Sequence, residues 1–160
     1  MLRITILAVG RLKEAYLREA AAEYAKRLTP FCSLKIEELE PARLPDRPSA
    51  AQIAAALEDE GKRILGRIPA GAGVWALCIE GQTMTSQALA ARLANVPLEG
   101  HSHLVCIIGG SHGLADRVKQ RADCRLSMSP MTFPHQLARI MLLEQMYRGF
   151  QIQQGSAYHK

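Results

Sequence analysis

The stretch that most limits what this chain can fold into is Leu104-Val105-Cys106-Ile107-Ile108, which runs straight into Gly109-Gly110-Ser111-His112-Gly113. Five consecutive apolar residues leave no polar face for water, so the run suits a strand buried on both sides, as the central strands of parallel sheets are. Arg3 to Val9 reads as a first strand ending at Gly10, and Val74 to Ile79 before Glu80-Gly81 is again a continuous apolar run. Between them the period changes. Leu17, Ala21, Tyr24 and Leu28 fall at helical spacing, and Pro30 stops that helix. Leu34 to Leu39 gives another strand. Ser49 and Gln52 form a capping box for a helix that places Ile53, Leu57, Ile64, Leu65 and Ile68 on one face, with Gly61 there either for close packing or at a cost in stability. Strands that alternate with helices predict an α/β fold: a mainly parallel sheet of about five strands with helices on both faces.

In such sheets ligands bind where loops leave the carboxyl ends of strands. Three loops qualify. One follows Ile79, one is the glycine cluster, and the third is Ser129-Pro130-Met131-Thr132-Phe133-Pro134, which follows a strand suggested by the alternation of Cys124, Leu126 and Met128. The glycine cluster, with a helix expected from about Leu114, is GGxxG and matches neither the dinucleotide fingerprint nor a P-loop. By itself it is either a ligand loop or a tight structural turn. Ser86 is expected to cap a short helix through Leu89 and Leu93.

With 160 residues the chain is expected to form one domain spanning residues 1 to 160, long enough to bury roughly 70% of its unfolded surface without disulfides. No apolar run approaches a bilayer span, and the N-terminus lacks the layout of a signal peptide, so a cytoplasmic location is expected. Cys32, Cys78, Cys106 and Cys124 contain no CxxC pair, and the five histidines offer no ligand set beyond His101 and His103, so no metal is expected. Residues 1 to 116 hold 13 Lys/Arg against 13 Asp/Glu, whereas residues 117 to 160 hold 7 against 2. The whole net charge of +5 therefore lies beside the third loop, which suits RNA or another polyanion, or else a solvated cationic face.

The last helix, expected over Gln136 to Phe150, carries apolar residues around most of its circumference. A helix of that kind must be buried on more than one side, which in so small a domain points to a second copy and a two-fold homodimer. Glu144 and Arg148 stand in the favourable i,i+4 order, so Arg148 either closes a helix salt bridge or contacts substrate.

The combination of Gly109-Gly110-Ser111-His112-Gly113-Leu114, Leu126-Ser127-Met128-Ser129, Met131-Thr132-Phe133-Pro134-His135, Glu144-Gln145-Met146-Tyr147-Arg148 and Tyr158-His159-Lys160, with Ile4 to Lys13 at the start, resembles the RlmH family of small SPOUT-class methyltransferases. The resemblance covers essentially the whole chain. It implies a C-terminal trefoil knot, S-adenosylmethionine as cofactor, and methylation at N3 of a pseudouridine in 23S ribosomal RNA within the ribosome. It carries cofactor contacts to Leu77, Gly110, Ser129, Pro130, Met131, Thr132, Phe133 and Pro134, and substrate-side roles to His135, Arg148, Tyr158, His159 and Lys160. The tail is expected to complete the partner's site. Two other readings fit the residues: a non-catalytic, ribosome-associated RNA-binding module, and an enzyme of small nucleotides or phosphorylated metabolites.

Overall fold

The computed structural model describes all 160 residues. In chain order they form β1 (Leu2–Val9), α1 (Ala15–Leu28), β2 (Cys32–Leu39), α2 (Ala50–Leu65), β3 (Gly73–Gln82), α3 (Ser86–Asn95), β4 (His103–Ile108), α4 (Asp116–Arg121), β5 (Cys124–Leu126) and α5 (His135–Gln153). The five strands make one sheet in the order β2-β1-β4-β3-β5, and every pairing is parallel. No helix is long and apolar enough to cross a membrane.

The pleat explains why the central runs are apolar throughout. Successive side chains point to opposite faces. Leu104, Cys106 and Ile108 enter a cluster shared with α1, α3 and α5, while Val105 and Ile107 enter a second one with Ile64, Leu114, Ala115 and Val118 on the side of α2 and α4. Burial of the whole β4 run is what the sequence called for.

The capping box forms as expected: Ser49 Oγ accepts from Gln52 N at 3.2 Å and Gln52 Oε1 accepts from Ser49 N at 2.9 Å. Gly61 is there for close packing, because a Cβ on it would come within 3.1 Å of the Ala115 methyl. Ile68, expected on this helix, lies beyond its end at Leu65 but still packs on the second cluster.

Several boundaries differ from expectation. α4 starts at Asp116 rather than near Leu114, since Leu114 and Ala115 are buried in the second cluster and Ala115 is extended. β5 has three residues and excludes Met128. The cap of α3 is Thr85, whose hydroxyl accepts from Ala88 N at 3.1 Å, while Ser86 instead donates to Gln145 Oε1 of α5 at 2.7 Å. α5 runs from His135 to Gln153, longer at both ends than expected. It packs on α1 and α3 through Leu142, Leu143 and Met146, and Gly149 lets it approach Ala90 of α3. Leu137 remains exposed and Met141 half-buried on its far side.

Candidate functional site

The three strand-end loops meet around one cavity of about 860 Å³. Leu77, Gly110, Ser129, Met131, Thr132, Phe133 and Pro134 all line it, and of the residues expected at a cofactor only Pro130 does not. Tight backbone packing shapes the walls. Gly113 N donates to Gly110 O at 3.1 Å, closing a turn with Gly113 at φ 85°, and a Cβ on Gly109 would lie 2.8 Å from the Gly113 carbonyl carbon. The glycine cluster is thus a tight turn and a cavity wall at once. A Cβ on Gly81 would stand 2.8 Å from Arg125 O, so the end of β3 is pressed against β5 in the same way. The third loop bonds to itself: Ser127 Oγ donates to Ser129 O at 3.1 Å, and Met131 N donates to Ser129 Oγ at 3.0 Å.

His135 opens α5 and forms part of the cavity wall. Burial, then the nearby Arg139 cation, holds its imidazole below the usual histidine range, which favours the neutral ring. At the rim Glu80 pairs with Lys119 of α4, which lowers the Glu80 carboxyl.

The other expected catalytic residues form a separate cluster. Arg148 grips Glu144 through Nη2 at 2.6 Å and Nε at 3.0 Å, and Tyr158 donates its hydroxyl to Glu144 Oε1 at 3.1 Å. The Arg148 guanidinium lies 4.8 Å from the Tyr158 ring centroid, and its Nη1 is 3.2 Å from His159 Nδ1. Arginine can only donate, so Nδ1 is the acceptor, and the other ring nitrogen, Nε2, stands 2.8 Å from the Gln87 side-chain amide. The helix salt bridge expected of Arg148 forms, and the same guanidinium also holds the tail. His135 and Arg148 are thirteen residues apart on one helix, about 20 Å at the α-helical rise. One chain does not bring its expected catalytic residues together. A smaller cavity of about 400 Å³, with Glu144 in its wall, backs onto the first across Leu126, Ser127 and Met128.

A family model described as "Predicted SPOUT methyltransferase" matches residues 2–159. The chain belongs to the SPOUT methyltransferase family. Similar curated proteins carry the name "Ribosomal RNA large subunit methyltransferase H". One from Pelotomaculum thermopropionicum is 48% identical over 159 residues, 99% of each chain. One from Moorella thermoacetica is 47% identical over 160 residues, the whole of both chains. One from Bifidobacterium animalis subsp. lactis is 49% identical over 99% of this chain and all of its own.

A SPOUT methyltransferase works with a methyl donor. Sequence reasoning missed three parts of the surroundings. Glu144 was seen only as a salt-bridge partner, yet it is the common acceptor for Arg148 and Tyr158. The Glu80–Lys119 pair at the rim joins residues far apart in the chain and left no local signal. Arg139, a charged residue within the apolar last helix, is only 3% exposed, and its position one turn after His135 was the available clue.

Proposed function

We propose that this chain transfers a methyl group from S-adenosylmethionine to N3 of a pseudouridine in large-subunit ribosomal RNA, the position the family resemblance gives as 1915 of 23S RNA. The observation that carries the reading is the 860 Å³ cavity walled by the loops that the resemblance assigns to the cofactor, in a chain of SPOUT methyltransferase type. The residues fit the group: the closed turn presents bare backbone at Gly109, Gly110 and Gly113, and Leu77, Met131 and Phe133 offer apolar surface beside Ser129 and Thr132 hydroxyls. When bound, S-adenosylmethionine supplies an electrophilic methyl on a sulfonium.

The protein's part is orientation, electrostatics and one proton. Pseudouridine N3 is a weak acid and becomes a good nucleophile on losing its proton. His135, held neutral beside the cavity, can accept it. Arg148 supplies a fixed cation for the base anion and Tyr158 a ring for stacking, while His159 and Lys160 face RNA phosphate or the departing proton. These groups stand about 20 Å from His135 within one chain. They serve one reaction when the tail cluster of one copy meets the cavity of another, so the working form is a homodimer, with the exposed Leu137 side of α5 available for the contact.

The reading further takes residues 1 to 160 as one cytoplasmic methyltransferase domain threaded as a trefoil knot, as the family resemblance implies. The test is transfer of labelled methyl from S-adenosylmethionine into ribosomal RNA of ribosomes lacking the modification. Labelling of 23S RNA is expected. Cofactor binding without transfer would mean a different methyl acceptor, and no cofactor binding would overturn the reading in favour of a non-catalytic RNA-binding module.

A further inference from the structure

The guanidinium of Arg139 is the one charged group that the fold buries between β1, β2 and α5. Nη1 donates to Glu38 Oε2 at 2.7 Å and Nη2 donates to the Gly10 carbonyl at 3.1 Å. Gly10 ends β1 at φ 99°, with its N–H bonded to Leu39 O of β2 at 2.8 Å. Arg139 Nε has no partner. Such an arrangement is a poor source of stability, because an apolar side chain of similar volume commonly serves as well as a buried ion pair, and an unpaired buried N–H costs free energy. What an apolar side chain could not do is grip two strand ends and place a positive charge one helical turn from His135. The His135 ring lies directly against Gly10, since a Cβ built on Gly10 falls 3.6 Å from Nε2.

We propose that Arg139 is a positioning residue for methyl transfer: it pins the first turn of α5 to the ends of β1 and β2, and so fixes His135 at the cavity wall as a proton acceptor. This rests on the reading of His135 given above. The charged and titratable groups around His135 are few. Arg139 lies on its own helix, with Glu38 of β2 partly neutralising it; across the cavity stand His112 of the glycine loop, Glu80 of β3 and Lys119 of α4, the last two paired with each other. Arg11, next to Gly10, is paired with Glu40. Of these groups Arg139 is the one whose charge lowers the His135 imidazole, and its partner Glu38 carries the opposite charge.

The experiment follows the His135 ring carbon–proton signal by NMR against pH in the full-length protein, assigned with His135→Gln, alongside the pH profile of kcat/KM for ribosomal RNA. Arg139→Met should raise the His135 titration and move the acidic limb of the profile up with it. Glu38→Gln, which leaves the cation uncompensated, should move both the opposite way. Arg139→Lys should keep the limb in place while lowering kcat several-fold, with KM for S-adenosylmethionine little changed, because the charge stays but the double grip is lost. If Arg139→Met does not fold, Glu38→Gln still decides. A His135 titration unmoved by the folded variants overturns the proposal. A wild-type protein without methyl transfer defeats the functional reading instead, and the NMR titration then still shows whether Arg139 governs His135.

Discussion

Gly109→Ala offers a sharp test of how the cavity is built, because three glycines of one loop should respond differently for different physical reasons. A Cβ at Gly109 would lie 2.8 Å from the Gly113 carbonyl carbon and 3.0 Å from Leu114 Cδ2, where ordinary contact begins at about 3.4 Å. The obstructing atoms at Gly113 are backbone, and its carbonyl oxygen lies nearer still than the carbon, so the turn itself must retreat by about 1 Å. Overpacking of this kind costs about 1–3 kcal/mol, or roughly 2–12 °C in Tm for a chain of this size. At Gly110 the nearest atom to a new Cβ is Val9 Cγ1 at 3.5 Å, so alanine fits and stability should hardly change. Gly113 has open space but φ 85°, which costs alanine about 1–2 kcal/mol, offset in part by a stiffer unfolded chain. Scanning calorimetry should rank the losses Gly109 > Gly113 > Gly110, and calorimetric titration should show S-adenosylmethionine binding weakened most in Gly109→Ala. Unfolding of Gly109→Ala at the wild-type temperature, with unchanged cofactor affinity, would refute the closed-turn argument.

Two further outcomes are expected. Burial lowers both His135 and His103, the latter also through Arg3, so the unfolded chain takes up their protons first: the stability they confer is full above about pH 6.5 and falls as pH drops below it. Urea midpoints should therefore fall between pH 7.5 and 5.5, in a range above that where Glu37, Glu40 and Glu80 titrate, and His135→Gln should flatten the fall. Burial and then Glu144 raise the Tyr158 phenol, so Glu144→Gln should bring its titration down, cost about 1 kcal/mol or less, and speed amide exchange over residues 156–160.

The central strands and the three special loops were legible because each is a local matter. Leu104 to Ile108 has no polar residue to spare for water, and glycine or proline follows each strand wherever the chain must turn sharply. Ser49 and Gln52 were legible for the same reason, since a capping box is complete within four residues. Choices settled by distant partners were not. Thr85 and Ser86 are equivalent as caps until Gln145 claims the Ser86 hydroxyl. Leu114 and Ala115 look like the start of a helix but are taken by the core. Arg139 finds its partners more than a hundred residues earlier, on the ends of two strands whose place in the sheet no local pattern reveals. The tail was expected to reach another subunit; in the single chain it rests on Glu144 and Arg148 of its own α5, a contact that only assembly of the fold could display.

The most direct test of the central claim, that one working site takes its cavity from one chain and its tail from another, is methyl transfer by mixed subunits. A variant lacking residues 158–160 should fold, bind S-adenosylmethionine and dimerise in sedimentation, yet fail to methylate ribosomal RNA. Gly110→Val, altering the cavity wall, should fail for lack of cofactor. After proven subunit exchange, the mixture should recover up to about a quarter of wild-type activity, since half the dimers are mixed and each mixed dimer has one complete site. Full activity of the tail deletion alone, or an inactive mixture despite exchange, would contradict the account.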